Sequence, residues 1–298
     1  MQLHHAGGLV VNGFIRFRVL ALNPSGASRA ERRDSVPFQM SDDPILIPVP
    51  VGGRRFVGRR TVRLADASPG GRLRLDAVAR QLQDVADDDA GDAGLGGSSW
   101  VVRRTTIEVR RPPVLREPLE LTTFCSGVGG RWAERRTSVR GERGGRVEAV
   151  ALWVHVDRSS GRPLALPRAF DEAYSSAHGG RQVRPRLQLG DPSPGDGSSA
   201  EPFPLRFCDF DVVGHVNNTV YWAVVEQVLA RRPDLRAPLR ATVEHRAALE
   251  RYSIPRVDVR DEPDGFRLWV LDDAAQPAAV SAAAAVRRVP AAESASTV

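Results

Sequence analysis

The 298-residue chain has no lysine at all, so each of its 42 basic residues is an arginine. Cysteine is scarce: Cys125 and Cys208 lie in strand-like segments, with no CxxC or Cys/His cluster to suggest zinc, and are expected as reduced, partly buried thiols. No apolar run approaches the ~20 residues of a membrane helix, so no membrane span is expected. The first residues lack the basic start, long apolar centre and small-residue cleavage site of a secretory leader, which points to a cytoplasmic protein. Aromatics are only 6% of the chain, and the arginines behind the net charge of +6 are scattered instead of interleaved with them, which argues against a nucleic-acid partner. The arginine surplus fits a genome biased toward that residue, or an acidic protein partner. The chain is 42% hydrophobic, enough for real cores. Its length suits about two domains of ~150 residues.

What the chain does have is an internal repeat. "VRLADASPGGRLRLDAVARQLQDVA" (Val62–Ala86) aligns without a gap to "LRFCDFDVVGHVNNTVYWAVVEQVLA", at a constant offset of 143 positions from Arg63 to Arg206. Asp66 falls on Asp209, Gly71 on Gly214 and Leu82 on Val225. In each copy a strand ends in a Gly-containing turn and leads into a helix. Leu75, Val78, Ala79, Leu82 and Val85 carry the three-and-four spacing in the first, and Val220, Val224, Val225 and Val228 in the second. Helices that apolar are buried, so each should be wrapped by a sheet. The sheets follow: "SSWVVRRTTIEVRR", "PLELTTFCSGVGGRWAERRTSVR" and "GGRVEAVALWVHVDR" after the first helix, then "LRATVEHRAAL", "SIPRVDVR", "GFRLWVLD" and "AAVSAAAAVRRV" after the second. Gly-rich turns mark antiparallel hairpins.

The expected fold is therefore α+β, a tandem (double) hot-dog in which each half is an antiparallel sheet around one central helix. Residues 1–52 show no period and are expected as a disordered arm or an extension upstream of a true start at Met40. Residues 53–170 form the N-terminal hot-dog, 171–200 a Gly/Pro/Ser-rich linker, 201–288 the C-terminal hot-dog and 289–298 a disordered tail.

The two copies differ where chemistry would sit. The second has Asp211, His215, Asn217 and Asn218 where the first has Ser68, Arg72, Arg74 and Leu75. Packing alone would call for similar residues in both, so one half works and the other is degenerate. A carboxylate beside a helix N-terminus suits thioester hydrolysis: free N–H groups stabilise the developing oxyanion, and the carboxylate activates water or attacks. His215 or Asn217 would orient the water or the acid, and Gly214 lets backbone approach substrate. Asp209 has a counterpart in Asp66 and is expected to be structural. Asn217 and Asn218 are also good cap residues. Glu226 and Glu250 are auxiliary candidates, Glu226 either joining the site or pairing with an arginine. Asp209, Asp211 and His215 lack a recognised ligand spacing, so no metal is expected. "RWAERR" reads as a strand with one charged face, a docking patch for an acidic partner.

"DFDVVGHVNN…Y" resembles the signature of hot-dog thioesterases. "CSGVGGRWAERRTSV" (Cys125–Val139), "GGRVEAVALWVHVD" and "GRPLALP" resemble the acyl-ACP thioesterase family more particularly, and the likeness covers most of 55–285. It implies hydrolysis of a fatty acyl thioester to free acid and carrier thiol, without cofactor. The partner would be acyl carrier protein or acyl-CoA, and the assembly a monomeric double hot-dog or a homodimer. By position it implies that Asp211 is the catalytic carboxylate and His215 its partner. The backbone at Asn217 and Asn218 would lie near the carbonyl, with the acyl pocket shaped by the N-terminal half. Two polar partners of plant-type members are replaced: an asparagine by Val213, and a Glu-Cys pair by Ala248 and Leu249. Glu244 and Glu250 fall close by but off that position. An acyl-CoA thioesterase and a non-catalytic acyl- or carrier-binding protein remain the alternatives.

Overall fold

The computed structural model describes residues 46–192, 200–275 and 278–290. Most of the expected N-terminal extension and of the expected tail lies outside them.

Two copies of one plan unite in a ten-stranded sheet whose neighbouring strands are all antiparallel. The first half runs β1 (Phe56–Thr61), α1 (Leu75–Asp92), β2 (Ser99–Arg111), β3 (Pro118–Val128), β4 (Trp132–Gly141) and β5 (Arg146–Val156). After α2 (Arg168–His178), the second half runs β6 (Glu201–Pro202), α3 (Asn218–Ala230), β7 (Leu239–His245), β8 (Pro255–Glu262), β9 (Gly265–Asp272) and β10 (Ala279–Arg288). The order across the sheet is β1-β3-β4-β5-β2-β7-β10-β9-β8-β6. Each half thus lays its strands out in the same sequence outward from its own post-helix strand, β2 or β7. Those two strands pair with each other from Arg104 against Glu244 to Val109 against Leu239. At that seam Thr106 and Thr242 share a hydroxyl hydrogen bond of 2.9 Å, and Arg240 Nε donates to the fully buried Glu108 at 2.9 Å.

The helices lie inside the sheet, as their periodicity requires. α1 buries Leu75, Val78, Leu82 and Val85 and turns Asp84, Asp87 and Asp88 outward or toward the rim. α3 buries residues around most of its circumference, including Tyr221, Trp222 and Val225. One apolar cluster contains both helices together with Ile107 and Leu121 of the first half and Ala241, Val243 and Phe266 of the second.

Two parts of the chain depart from expectation. Residues 168–178, spanning the expected start of the linker, form α2, which packs Phe170 and Tyr174 against Cys125 and Ala133 outside the main core. Past α2, residues 183–190 are tied to the rest of the fold by hydrogen bonds. Trp132 and Trp269 donate their indole N–H groups to the carbonyls of Val183 and Gly190, at 2.9 and 2.8 Å. The buried Glu244 carboxylate accepts the N–H groups of Gln188 and Leu189 at 2.5 and 3.1 Å. Cys125 is buried in β3, and burial pushes its thiol up to about 12, whereas Cys208 is exposed in a 3-10 turn and not in a strand.

Candidate active site

The two segments before the central helices fold alike, hydrogen bond by hydrogen bond. Asp66 and Asp209 each end a 3-10 turn and fold back onto the backbone N–H of Arg63 or Arg206, at 3.2 and 2.8 Å. Each also offers its own carbonyl to the residue before the helix, Arg74 at 3.0 Å and Asn217 at 2.8 Å. Asp209 is 1% exposed and bridged by the Arg206 guanidinium, which makes it the structural acid its repeat counterpart announces. A tight turn follows. Asp211 N–H donates to the His215 carbonyl at 2.9 Å and Gly214 N–H to the Asp211 carbonyl at 3.0 Å; Ser68, Arg72 and Gly71 make the same pair of bonds at 2.8 Å each. Gly71 and Gly214 take φ of +80° and +87°, the left-handed region where a Cβ is costly.

Only the second turn carries an acid at its head. Asp211 is half-buried, and its Oδ1 accepts the Val213 N–H at 2.9 Å, fixing the side chain against the turn. Asn217 then caps α3: its Oδ1 accepts from the Thr219 N–H at 2.9 Å and from the Thr219 hydroxyl at 2.8 Å. Its side-chain oxygen is therefore committed to the cap. Gly214 cannot lend its N–H to a substrate carbonyl either, because the Asp211 carbonyl holds it.

The decisive asymmetry lies at the first N–H of each helix. At α1, the Leu75 N–H donates to Glu226 Oε2 at 3.0 Å, and Arg72 closes over that carboxylate with both terminal nitrogens. Glu226, an auxiliary candidate for the working half, thus fills the mouth of the other half. A carboxylate resting on a helix N-terminus is where an anion is expected to bind. At α3, the counterpart donor is the Asn218 N–H, for which no acceptor is found among the described residues. The repeat counterpart of Glu226 is Gln83, a neutral amide.

Asn218, Thr219 and Gln83 line a narrow cavity of about 30 Å³ that reaches between α1 and the first-half sheet, past Leu82, Ala149, Ala151 and Trp153. Its wall in the second half is Trp222 and His245. Asp211 and His215 do not line it; they stand in the turn outside, at the end where α3 begins. Glu250 is exposed in the loop after β7, and the structure does not bring it to the cavity. Arg135 of "RWAERR" faces inward and pairs with the buried Asp89 at 2.5 Å, while Arg136 pairs with Glu148 at 2.8 Å. Both charges are spent inside the protein, which leaves the exposed Arg131 as the segment's outward-facing arginine.

The acyl-ACP thioesterase N-terminal domain matches residues 53–174, and the C-terminal domain of the same family matches residues 193–255. The chain belongs to the acyl-ACP thioesterase family. It is a thioester hydrolase. An uncharacterised protein of Mycobacterium tuberculosis strain H37Rv is 32% identical over 210 residues, covering 70% of this chain and 83% of the relative. The crystal structure of an acyl-ACP thioesterase from Bacteroides thetaiotaomicron superposes with a TM-score of 0.61 at 18% identity, over 78% of this chain and 97% of that one. The 12:0-ACP thioesterase from Umbellularia californica gives 0.63 at 19% identity, over 80% and 98%. These two share the double hot-dog fold.

Within this acyl-ACP thioesterase the positions that depart from the plant-type pattern do not line the cavity. Val213 is exposed at the tip of the turn, Ala248 is exposed, and Leu249 is buried with its carbonyl accepting the Val216 N–H at 3.0 Å. The polar side chain that β7 does send into the cavity is His245, which was not singled out from the sequence. Strand alternation places it on one face with Ala241 and Val243, a signal that was available.

Proposed function

We propose that this protein hydrolyses fatty acyl-ACP in the cytoplasm, with one working site per chain, at the N-terminus of α3. The observation that carries the proposal is the contrast between the two helix mouths: Glu226, clamped by Arg72, occupies the Leu75 N–H, while the Asn218 N–H has no acceptor among the described residues and Asn218 lines a cavity beside an acid-bearing turn. The thioester carbonyl oxygen would lie against the Asn218 N–H, with the acyl chain directed toward Ala149 and Ala151 and the cavity, about 30 Å³ without substrate, widening to take it. Asp211 would act from the outer side, taking a proton from the attacking water or forming an acyl anhydride. His215, joined to it by the backbone of the same turn, would orient the water. The positive net charge favours anionic carriers of either kind.

Thiol release from a panel of acyl carrier protein and acyl-CoA thioesters, measured for the wild type and Asp211→Asn, tests this. The wild type is expected to hydrolyse carrier-protein thioesters and the variant to lose at least about a hundredfold in kcat, at the lower end of what a positioned acid–base group contributes. Preference for CoA thioesters would move the protein to the acyl-CoA branch. A wild type that binds thioesters but releases no thiol would make it an acyl-binding protein.

A further inference from the structure

Two ionisable residues that the reaction above does not use, Arg135 and His245, line the cavity; Arg135 is paired with Asp89, which leaves His245. Its ring lies edge-on to Tyr221 of α3, with centroids 5.1 Å apart and planes at 79°. The residue is 9% exposed, yet neither ring nitrogen has a hydrogen-bond partner among the described residues. A buried imidazole without partners costs free energy that packing alone would not retain, so its nitrogens call for a ligand. Burial, reinforced by the nearby Arg103 charge, holds the ring down to about 3, so it is neutral at physiological pH. Held there, the neutral ring keeps one N–H donor and is a poor base.

We propose that His245 is a further catalytic residue, donating its ring N–H to the thioester carbonyl oxygen alongside the Asn218 backbone N–H. This rests on the thioesterase reading of the site. The other half of the molecule shows what such a mouth holds. There a carboxylate oxygen, Glu226 Oε2, sits on the Leu75 N–H, and a second donor, Arg72, comes in from the side. The working half replaces the charged second donor with a neutral one, because it must bind an oxygen that is uncharged in the substrate and anionic only in transit. As water adds to the carbonyl carbon, its proton passes to Asp211 and the π pair moves onto oxygen between the two donors. Collapse re-forms the carbonyl, breaks the C–S bond and returns the proton to the departing thiolate. Two donors preset for the transient charge accelerate the step without tightening the ground state.

The test is steady-state hydrolysis of the best thioester from the panel by the wild type, His245→Phe and His245→Gln, with a melting curve for each. Phe keeps the ring that packs on Tyr221 and removes the donor; Gln keeps an N–H. The expected result is a drop of about 10²–10³-fold in kcat for His245→Phe with KM little changed, and recovery of most of that loss in His245→Gln. Folded Phe and Gln variants that lose activity equally would overturn the donor role, as would a Phe variant with wild-type kcat. Absence of turnover by the wild type on every thioester would overturn the hydrolase reading and the donor together, whereas an active wild type with an indifferent His245→Phe overturns the donor alone.

Discussion

At the scale of single residues, the same side-chain chemistry takes opposite roles according to what it touches. Asp209 and Asp211 are two positions apart, but the first is sealed under Arg206 and the second heads an open turn. The repeat separated them in the sequence, because an acid retained in both copies serves the fold and one present in a single copy does not. No such comparison flags His245; alternation shows which way it faces but not that the far side is a cavity instead of packed side chains. Its burial has a consequence for stability. His245 and His178 are both held below the ordinary histidine value by burial, so between pH 7 and pH 5 the unfolded chain takes up protons that the folded one refuses. Stability is therefore fully present above about pH 6.5 and falls as the pH drops below it. The melting temperature should decline from pH 7 to pH 5 in the wild type and decline less in His245→Gln. An equal decline in both would place the lost stability elsewhere.

At the scale of elements, the two central helices are completed differently. Glu226 of α3 satisfies the first N–H of α1, whose own N-cap residue, Arg74, makes no side-chain cap bond. α3 is capped by its own Asn217, and α1 offers it only the amide of Gln83. Replacing that amide by an acid should rebuild in the working half the plug found in the other. Gln83→Glu is expected to lower kcat/KM at least about a hundredfold by setting a carboxylate against the Asn218 N–H. Gln83→Leu, which brings no anion, should lose far less. If the two variants behave alike, the charge at this position is irrelevant and the argument from the filled mouth fails. The cavity's course gives a second expectation. Ala151, on β5 opposite Thr105 and Arg135, lines it, and Ala151→Leu should depress hydrolysis of the longest accepted chain more than that of the shortest. The central helices and most strands were legible because their periods are strong. α2 and the two-residue β6 were not, since α2 follows a Pro-rich loop and packs on a small satellite cluster, and β6 is too short to show any period.

At the scale of the molecule, the repeat makes two folds' worth of chain but a single core. Strands β2 and β7 join the halves through continuous backbone pairing, and α1 and α3 meet in one apolar cluster fed by both sheets. The sequence revealed the duplication but not this fusion, because periodicity identifies each helix's buried face without naming its partner. Ile107 stands at the junction: it is fully buried on β2, pairs with Ala241 of β7 on one side and Ala149 of β5 on the other, and belongs to the shared cluster. Ile107→Ala removes three carbon atoms from that position and should cost about 2–5 kcal/mol, as deletions of buried aliphatic side chains do. In two independent domains the loss would fall on the N-terminal half alone. In one core it lowers the stability of both, so amide protection in β4 and in β9, strands on opposite sides of the seam, should fall by the same free energy and thermal unfolding should remain a single transition. Protection retained in β9 while β4 exchanges would divide the core in two, and the dependence of the working mouth on a helix from the other half would then rest on surface contact alone.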